Sequence, residues 1–236
     1  MPPIDLTGRV ALVTGANRGI GLAVVQGLAE RGATALLGAR DRDRGEQAAA
    51  GLRALGLAVR AIQIDVSDRA SIAGAAAAIE AEHGRLDVLV NNAGLLAYDS
   101  AVDLDPDTAD LFWRTNTLGP WILAAAVVPL MRRNLWGRIV NVTSEMASLE
   151  RMTASGPCYR VSKTALNAVT RVLADELVGS GILVNSLSPG WVRTEMGGPE
   201  APRSIEQGCA SILWGVDIGD DGPNGGFFQD GEPLPW

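Results

Sequence analysis

Tyr159 and Lys163 lie four residues apart in Tyr-Arg-Val-Ser-Lys, a spacing that puts a phenol and an ammonium on one helix face, pointing into one cleft. A tyrosine that titrates near pH 10 is a poor acid or base at neutrality. A neighbouring cation favours the phenolate and should draw Tyr159 towards the working range. A hydroxyl stands ready nearby: the run Val142-Thr143-Ser144 ends a strand-like segment, and ligands of open α/β sheets bind at the carboxyl ends of the strands. Thr143 and Ser144 both offer a hydroxyl at that edge.

A second group of residues suits phosphate binding. Thr14-Gly15-Ala16-Asn17-Arg18-Gly19-Ile20-Gly21 is a glycine-rich turn between a strand and a helix. Gly15 permits the tight turn, Gly19 lets backbone N–H groups approach a pyrophosphate, and Gly21 lets the helix pack on the strand. By itself such a turn is also compatible with a plain structural connection. The second strand ends Leu37-Gly38-Ala39-Arg40, where a dinucleotide fold meets the adenosine ribose. A carboxylate there would take a free 2′-hydroxyl, but Ala39 and Arg40 suit a 2′-phosphate, and Arg18 would supply a second cation. The other reading of either arginine is a solvated surface side chain. Asp65 is placed to touch the adenine, or belongs to the start of the following helix.

The elements that must position these groups alternate along the chain. Strands are read at Arg9 to Thr14, Thr34 to Ala39, Val59 to Gln63, Leu86 to Asn91, Arg138 to Thr143, Ile182 to Ser188 and Gly226 to Phe228, nearly all apolar as burial on both faces requires. Helices are read at Gly19 to Arg31, Asp43 to Leu55, Asp68 to His83, Pro106 to Arg133, Tyr159 to Leu177 and Ser204 to Gly215. Ser67 is the expected N-cap of the third, and Gly32, Gly56 and Gly84 are C-terminal stops. The pattern predicts an α/β fold: a single-domain, Rossmann-like, doubly wound parallel sheet of about seven strands with helices on both faces, spanning residues 1–236. The Gly/Pro-rich tail after Pro189 is expected to fold over the carboxyl ends of the strands.

Composition narrows the chemistry. Hydrophobic residues make up 47% of the 236-residue chain, enough to exclude global disorder. A net charge of −7 argues against nucleic acid as a partner. With two cysteines, Cys158 and Cys209, and one histidine, His83, soft ligands are too few for a structural zinc site, and no metal is expected. His83 reads as a helix-end or surface residue, and Cys158 as a packing residue rather than a redox switch. The amino terminus lacks the pattern of a secretory signal, and the apolar stretch Leu118 to Met131 is too short to span a bilayer, so a cytoplasmic protein with no membrane partner is expected. The segment Thr115 to Met131 and the helix after Tyr159 could pair across a two-fold axis in a homo-oligomer, and would be equally apolar in a monomer.

The sequence resembles the short-chain dehydrogenase/reductase family over essentially its whole length. Thr14-Gly-x-x-x-Gly-x-Gly21, Asn91-Asn92-Ala93-Gly94, Asn116, Ser144, Tyr159-x-x-x-Lys163 and Pro189-Gly190 occur in the family's order. Ser188 to Pro199 and Gly225 to Trp236 look most like its carbonyl-reductase branch. The resemblance implies NADP(H) as cofactor and reduction of a small-molecule ketone or aldehyde. It implies Tyr159 as proton donor, Ser144 polarising the carbonyl oxygen, and Lys163 binding the nicotinamide ribose while tuning Tyr159. Asn116 would hold a water that relays protons from Lys163. The implied cofactor-binding set is Gly15, Asn17, Arg18, Gly19, Ile20, Gly21, Arg40, Asp65, Val66, Asn92, Ala93, Gly94, Tyr159, Lys163, Pro189, Gly190, Val192 and Thr194. Asn92 to Gly94 would stabilise the sheet near the adenosine half, and Thr194 would contact the nicotinamide end.

Two departures from the family matter. The loop Glu145 to Pro157 is slightly longer than is commonest, so it must bulge, and Glu145 beside Ser144 faces either the cleft or solvent. The stretch after Pro189-Gly190 is short, and no large insertion precedes Ser144, so an open cleft is expected, with Leu95, Tyr98, Met146, Met152, Trp191 and Met196 as pocket candidates. The alternatives are a 3-oxoacyl-thioester reductase, the reverse alcohol oxidation, and a non-catalytic NADP(H)-binding regulator.

Overall fold

A computed structural model describes residues 2–236. Strands β1 (Val10–Val13), β2 (Thr34–Ala39), β3 (Val59–Gln63), β4 (Val88–Asn91), β5 (Gly137–Val142), β6 (Ile182–Leu187), β7 (Phe227–Gln229) and β8 (Glu232–Pro233) form one sheet. Their order is β3-β2-β1-β4-β5-β6-β7-β8. The first seven run parallel, and β8 returns antiparallel to β7. Helices α1 (Gly19–Glu30), α2 (Arg42–Arg53) and α7 (Ile205–Asp217) cover one face. The other carries α3 (Arg69–His83), α5 (Gly119–Asn134) and α6 (Pro157–Glu176), with α4 (Pro106–Trp113) leading into α5.

Strand periodicity accounts for the two cores. In β1, Ala11 and Val13 join Val24, Leu28, Leu52 and Ile212 on one face, while Val10 and Leu12 join Ile72, Leu123, Val127 and Leu166 on the other. Each core leucine removed from water contributes about 1.5 to 3 kcal/mol. Double-sided burial holds for β1, β4 and β5 but not for β3, where Arg60 and Gln63 are exposed because β3 is the sheet's edge.

Three local expectations are corrected. The N-cap of α3 is Asp68, whose carboxylate accepts from the Ala70 N–H; Ser67 instead donates to Asp65 through both its backbone N–H and its hydroxyl. The long helix over Pro106 to Arg133 is interrupted by a π-helical turn at Arg114–Leu118. Gly119 must follow that turn, since a Cβ there would sit 2.0 Å from the Val66 carbonyl oxygen. Strand β8, absent from the sequence reading, is set by Asp230-Gly231, whose φ angles of 53° and 84° make a tight hairpin link between Gln229 and Glu232. An Asp-Gly pair is a legible hairpin signal, but the flanking strands are too short to show alternation.

Because β1 neighbours both β2 and β4, the chain reverses its direction of travel across the sheet between β1 and β4. Helices leave these two strands for opposite faces, and a crevice opens at their carboxyl ends. Among the described residues, no helix is long and apolar enough to cross a membrane.

Candidate active site

A cavity of about 540 Å³ occupies this crevice. Its floor is the glycine turn after β1, where Gly15, Asn17, Arg18, Gly19, Ile20 and Gly21 all reach the wall. Gly15 adopts a left-handed conformation, φ 62°, and a Cβ there would lie 2.8 Å from the Ala93 Cα. At Gly21 an added Cβ would meet the Asn92 amide nitrogen at 2.5 Å. Asn92 donates in turn to the carbonyls of Thr14 and Gly15, and the Thr14 hydroxyl accepts from the N–H groups of Asn92 and Ala93. These contacts lock the turn after β1 to the turn after β4.

Above Gly19 the space is open except for the Thr194 methyl, 3.5 Å from a Cβ placed there. Arg18, the N-cap of α1, makes no side-chain capping bond, so the first N–H groups of the helix face the cavity without a side-chain acceptor. Such a helix start, with its partial positive charge, suits a pyrophosphate. Farther out, Arg40, Asp65 and Val66 line the same cavity. Arg40 is exposed and forms no ion pair among the described residues. Asp65 has one oxygen committed to Ser67, which favours its helix-start role. Arg18 is exposed, and its guanidinium is paired with Glu195.

At the inner end, α6 presents Tyr159 and Lys163 to the cavity. Ser144, at the start of the short 3₁₀ turn Glu145–Ala147, stands beside the Tyr159 side chain, and its hydroxyl accepts from the Met146 N–H. Burial pushes the phenol up to about 12, with the neighbouring Ser144 opposing the rise and Tyr98 adding to it. This corrects the expectation that Lys163 lowers Tyr159. The Lys163 ammonium is instead drawn to the Val142 carbonyl at 2.7 Å, and burial lowers it to about 8. Desolvation of the phenol sets the direction of the shift. At pH 7 the pair is therefore a neutral phenol and an ammonium, the protonation states a proton donor needs.

Asn116 sits inside the π-helical turn, fully buried. Its amide nitrogen donates to the Leu95 carbonyl and the Ser162 hydroxyl, and its oxygen accepts from the Leu95 N–H at 2.8 Å. The asparagine thus ties the turn after β4 to α6. Gly94 is packed against both Asn116 and Lys163, since a Cβ there would lie 3.3 Å from the Asn116 amide oxygen and 3.3 Å from the Lys163 ammonium.

Sixteen of the sequence-expected residues therefore border one cavity: the six of the glycine turn, Arg40, Asp65, Val66, Asn92, Ala93, Gly94, Tyr159, Lys163, Pro189 and Thr194. Four do not line it. Asn116 and Ser144 stand just behind or beside it through the contacts above. Gly190 is turned towards Arg203, whose Cδ would be 2.4 Å from an added Cβ, and Val192 is buried beneath Gly208. Of the pocket candidates, Leu95 and Met196 line the cavity and Met146 packs with Leu95 beside Tyr159. Tyr98, Met152 and Trp191 do not line it; Tyr98 and Trp191 are largely turned to solvent, and the Trp191 indole donates to the Gly197 carbonyl. Glu145 is exposed and pairs with Arg151 at 3.7 Å. Thr143, Thr115 and Glu195 line the cavity as well; Glu195 carried no sequence signal, because its relevance comes from a partner far away in the chain. Both cysteines are free and buried, and burial pushes each thiol up to about 11, which leaves them unreactive at neutral pH.

A doubly wound sheet with a glycine-cradled crevice and a serine, tyrosine and lysine at its inner end defines a dinucleotide-dependent oxidoreductase type of architecture. The profile of the short chain dehydrogenase family matches residues 9–204, and the chain belongs to that family. It is 34% identical over 279 aligned positions to carbonyl reductase [NADPH] 1 of Sus scrofa, covering 97% of this chain and 94% of the relative. The alignment is longer than this 236-residue chain, so the relative carries segments that are missing here. Among solved structures, NADPH-bound carbonyl reductase from chicken fatty liver superposes with a TM-score of 0.87 at 28% identity, covering 98% of this chain and 95% of that one. A gluconate 5-dehydrogenase from Burkholderia cenocepacia J2315, in complex with NADP and tartrate, gives 0.87 at 28%, covering 96% and 95%.

Proposed function

We propose that this cleft reduces ketone or aldehyde carbonyls with NADPH, using Ser144, Tyr159, Lys163 and Asn116. The protein is an NADP-dependent oxidoreductase of the carbonyl-reductase type, consistent with its relatives and with a helix start and two arginines along one cavity wall. The observation that carries the reading is a buried Tyr159 and Lys163, four residues apart on α6, at the inner end of the cavity whose outer end is bordered by Arg18 and Arg40.

When bound, the nicotinamide supplies two electrons and a hydrogen to the carbonyl carbon. The Ser144 hydroxyl donates to the carbonyl oxygen and polarises it, in a site dry enough for such a bond to act strongly. Tyr159, held protonated by burial, gives its proton to the oxygen as alkoxide character develops, a favourable transfer because an alkoxide is the stronger base. Lys163 keeps a positive charge beside the resulting phenolate and would hold the ribose hydroxyls of the bound cofactor. Asn116 holds the turn after β4 against α6, and a water on its oxygen would pass a proton towards Lys163.

The test is the absorbance loss of NADPH across a panel of ketones, aldehydes, quinones and acyl thioesters, with NADH as control. Turnover of simple ketones or aldehydes is expected. Turnover confined to acyl thioesters favours the thioester reductase, and cofactor binding with no turnover on any carbonyl favours the regulator.

A further inference from the structure

Arg18 and Glu195 are 177 residues apart in sequence and face each other across the cavity, the first from the start of α1 and the second from the segment after β6. Their side chains are paired, yet 61% and 72% exposed. An ion pair this open to water is weak and readily exchanged. A 2′-phosphate offers the same guanidinium more oxygens and more charge than a carboxylate does.

The backbone that carries Glu195 does not depend on this pair. The Trp191 indole donates to the Gly197 carbonyl, Gly197 N–H to the Thr194 hydroxyl and Gly198 N–H to the Thr194 carbonyl. Arg193 donates to the carbonyls of Ala201 and Pro202. The segment is closed on itself, so Glu195 is presented at a fixed place whatever its side chain does. The only other carboxylate lining the cavity among the described residues, Asp65, has an oxygen committed to Ser67, which leaves Glu195 as the anion that offsets Arg18.

We infer that Glu195 is a specificity-determining residue for the cofactor: it competes with the 2′-phosphate for Arg18 and so moderates the preference for NADP(H) over NAD(H). The inference rests on the proposed NADP(H) reading. Glu195→Gln keeps the side chain's size and removes its charge. It should tighten binding of NADP⁺ and of 2′,5′-ADP about two- to fivefold at low salt, and leave NAD⁺ within experimental error. The gain should fade as salt is raised and should vanish in an Arg18→Ala background.

Calorimetric titration of wild type, Glu195→Gln, Arg18→Ala and the double variant with NADP⁺, NAD⁺ and 2′,5′-ADP tests this without turnover. A loss of affinity for both NADP⁺ and NAD⁺ in Glu195→Gln would mean that the pair straps the cofactor in, and overturns the inference. So does an unchanged NADP⁺ affinity in Glu195→Gln when Arg18→Ala weakens it, or a gain that persists without Arg18. The underlying reading fails separately: wild type would then bind NAD⁺ as tightly as NADP⁺ and Arg18→Ala would change neither, in which case the inference falls with it.

Discussion

At the Tyr159 end of the cleft the charged and polar groups are buried, Lys163 being only 3% exposed, whereas at the Arg18 and Arg40 end they stand in water. The two ends treat charge differently as a result. Burial raises Tyr159 to about 12 and lowers Lys163 to about 8, changes that set protonation states and that salt hardly touches. At the outer end, charge acts through exchangeable contacts that discriminate between ligands but are screened. One cleft thus combines a dry end suited to chemistry with a wet end suited to selection.

The sharpest way to break the comparison is Tyr159→Phe, which deletes one oxygen at the dry end. Turnover should fall on the order of a hundredfold or more, while calorimetric NADP⁺ binding stays near wild type. Wild-type turnover on the best substrate would remove Tyr159 from the mechanism.

At the wet end, Ala39→Asp with Arg40→Ala adds a carboxylate for ribose hydroxyls and removes a phosphate contact. The NADPH over NADH ratio in kcat/KM should narrow about ten- to a hundredfold or invert, with kcat on saturating cofactor little changed. A ratio that does not move would return Arg40 to a plain surface role.

The pH profile distinguishes the ends again. Lys163, lowered to about 8 by burial, carries its proton below that pH and loses it above. With NADPH limiting, kcat/KM for carbonyl reduction reports the free enzyme and should be level below pH 8, then fall about tenfold per unit above it. Raising the salt should leave this break in place while eroding the NADPH preference. A profile that stays level to pH 10 would show that the charge on Lys163 is not needed.

The smallest effect is expected at Glu145, exposed and paired with Arg151. Glu145→Gln should alter the preference between a keto acid and its neutral ester less than about twofold, as an open ion pair outside the dry end would. A larger shift, read from the ratio of the two kcat/KM values, would place this carboxylate in the substrate's path.

Much of this was legible without coordinates. The alternation of apolar strands and periodic helices predicts the order of elements, because strand and helix periods are local properties of the chain. The glycine turn and the Tyr159 to Lys163 spacing are likewise short-range, which is why most of the expected residues border one cavity. The N-cap of α3 was missed because Ser67 and Asp68 are both capable acceptors, and only the Asp65 turn decides between them.

By itself, then, the sequence determined the family, the sheet and the set of side chains brought to its crevice, since each depends on patterns a few residues long. Tertiary structure alone decided the π-helical turn around Asn116, where Gly119 fits against the Val66 carbonyl, and the pairing of Arg18 with Glu195. It also decided the protonation of Tyr159, upward against the sequence expectation. Desolvation is summed over every atom that packs around a group, and those atoms come from segments whose nearness along the chain says nothing about their nearness in space.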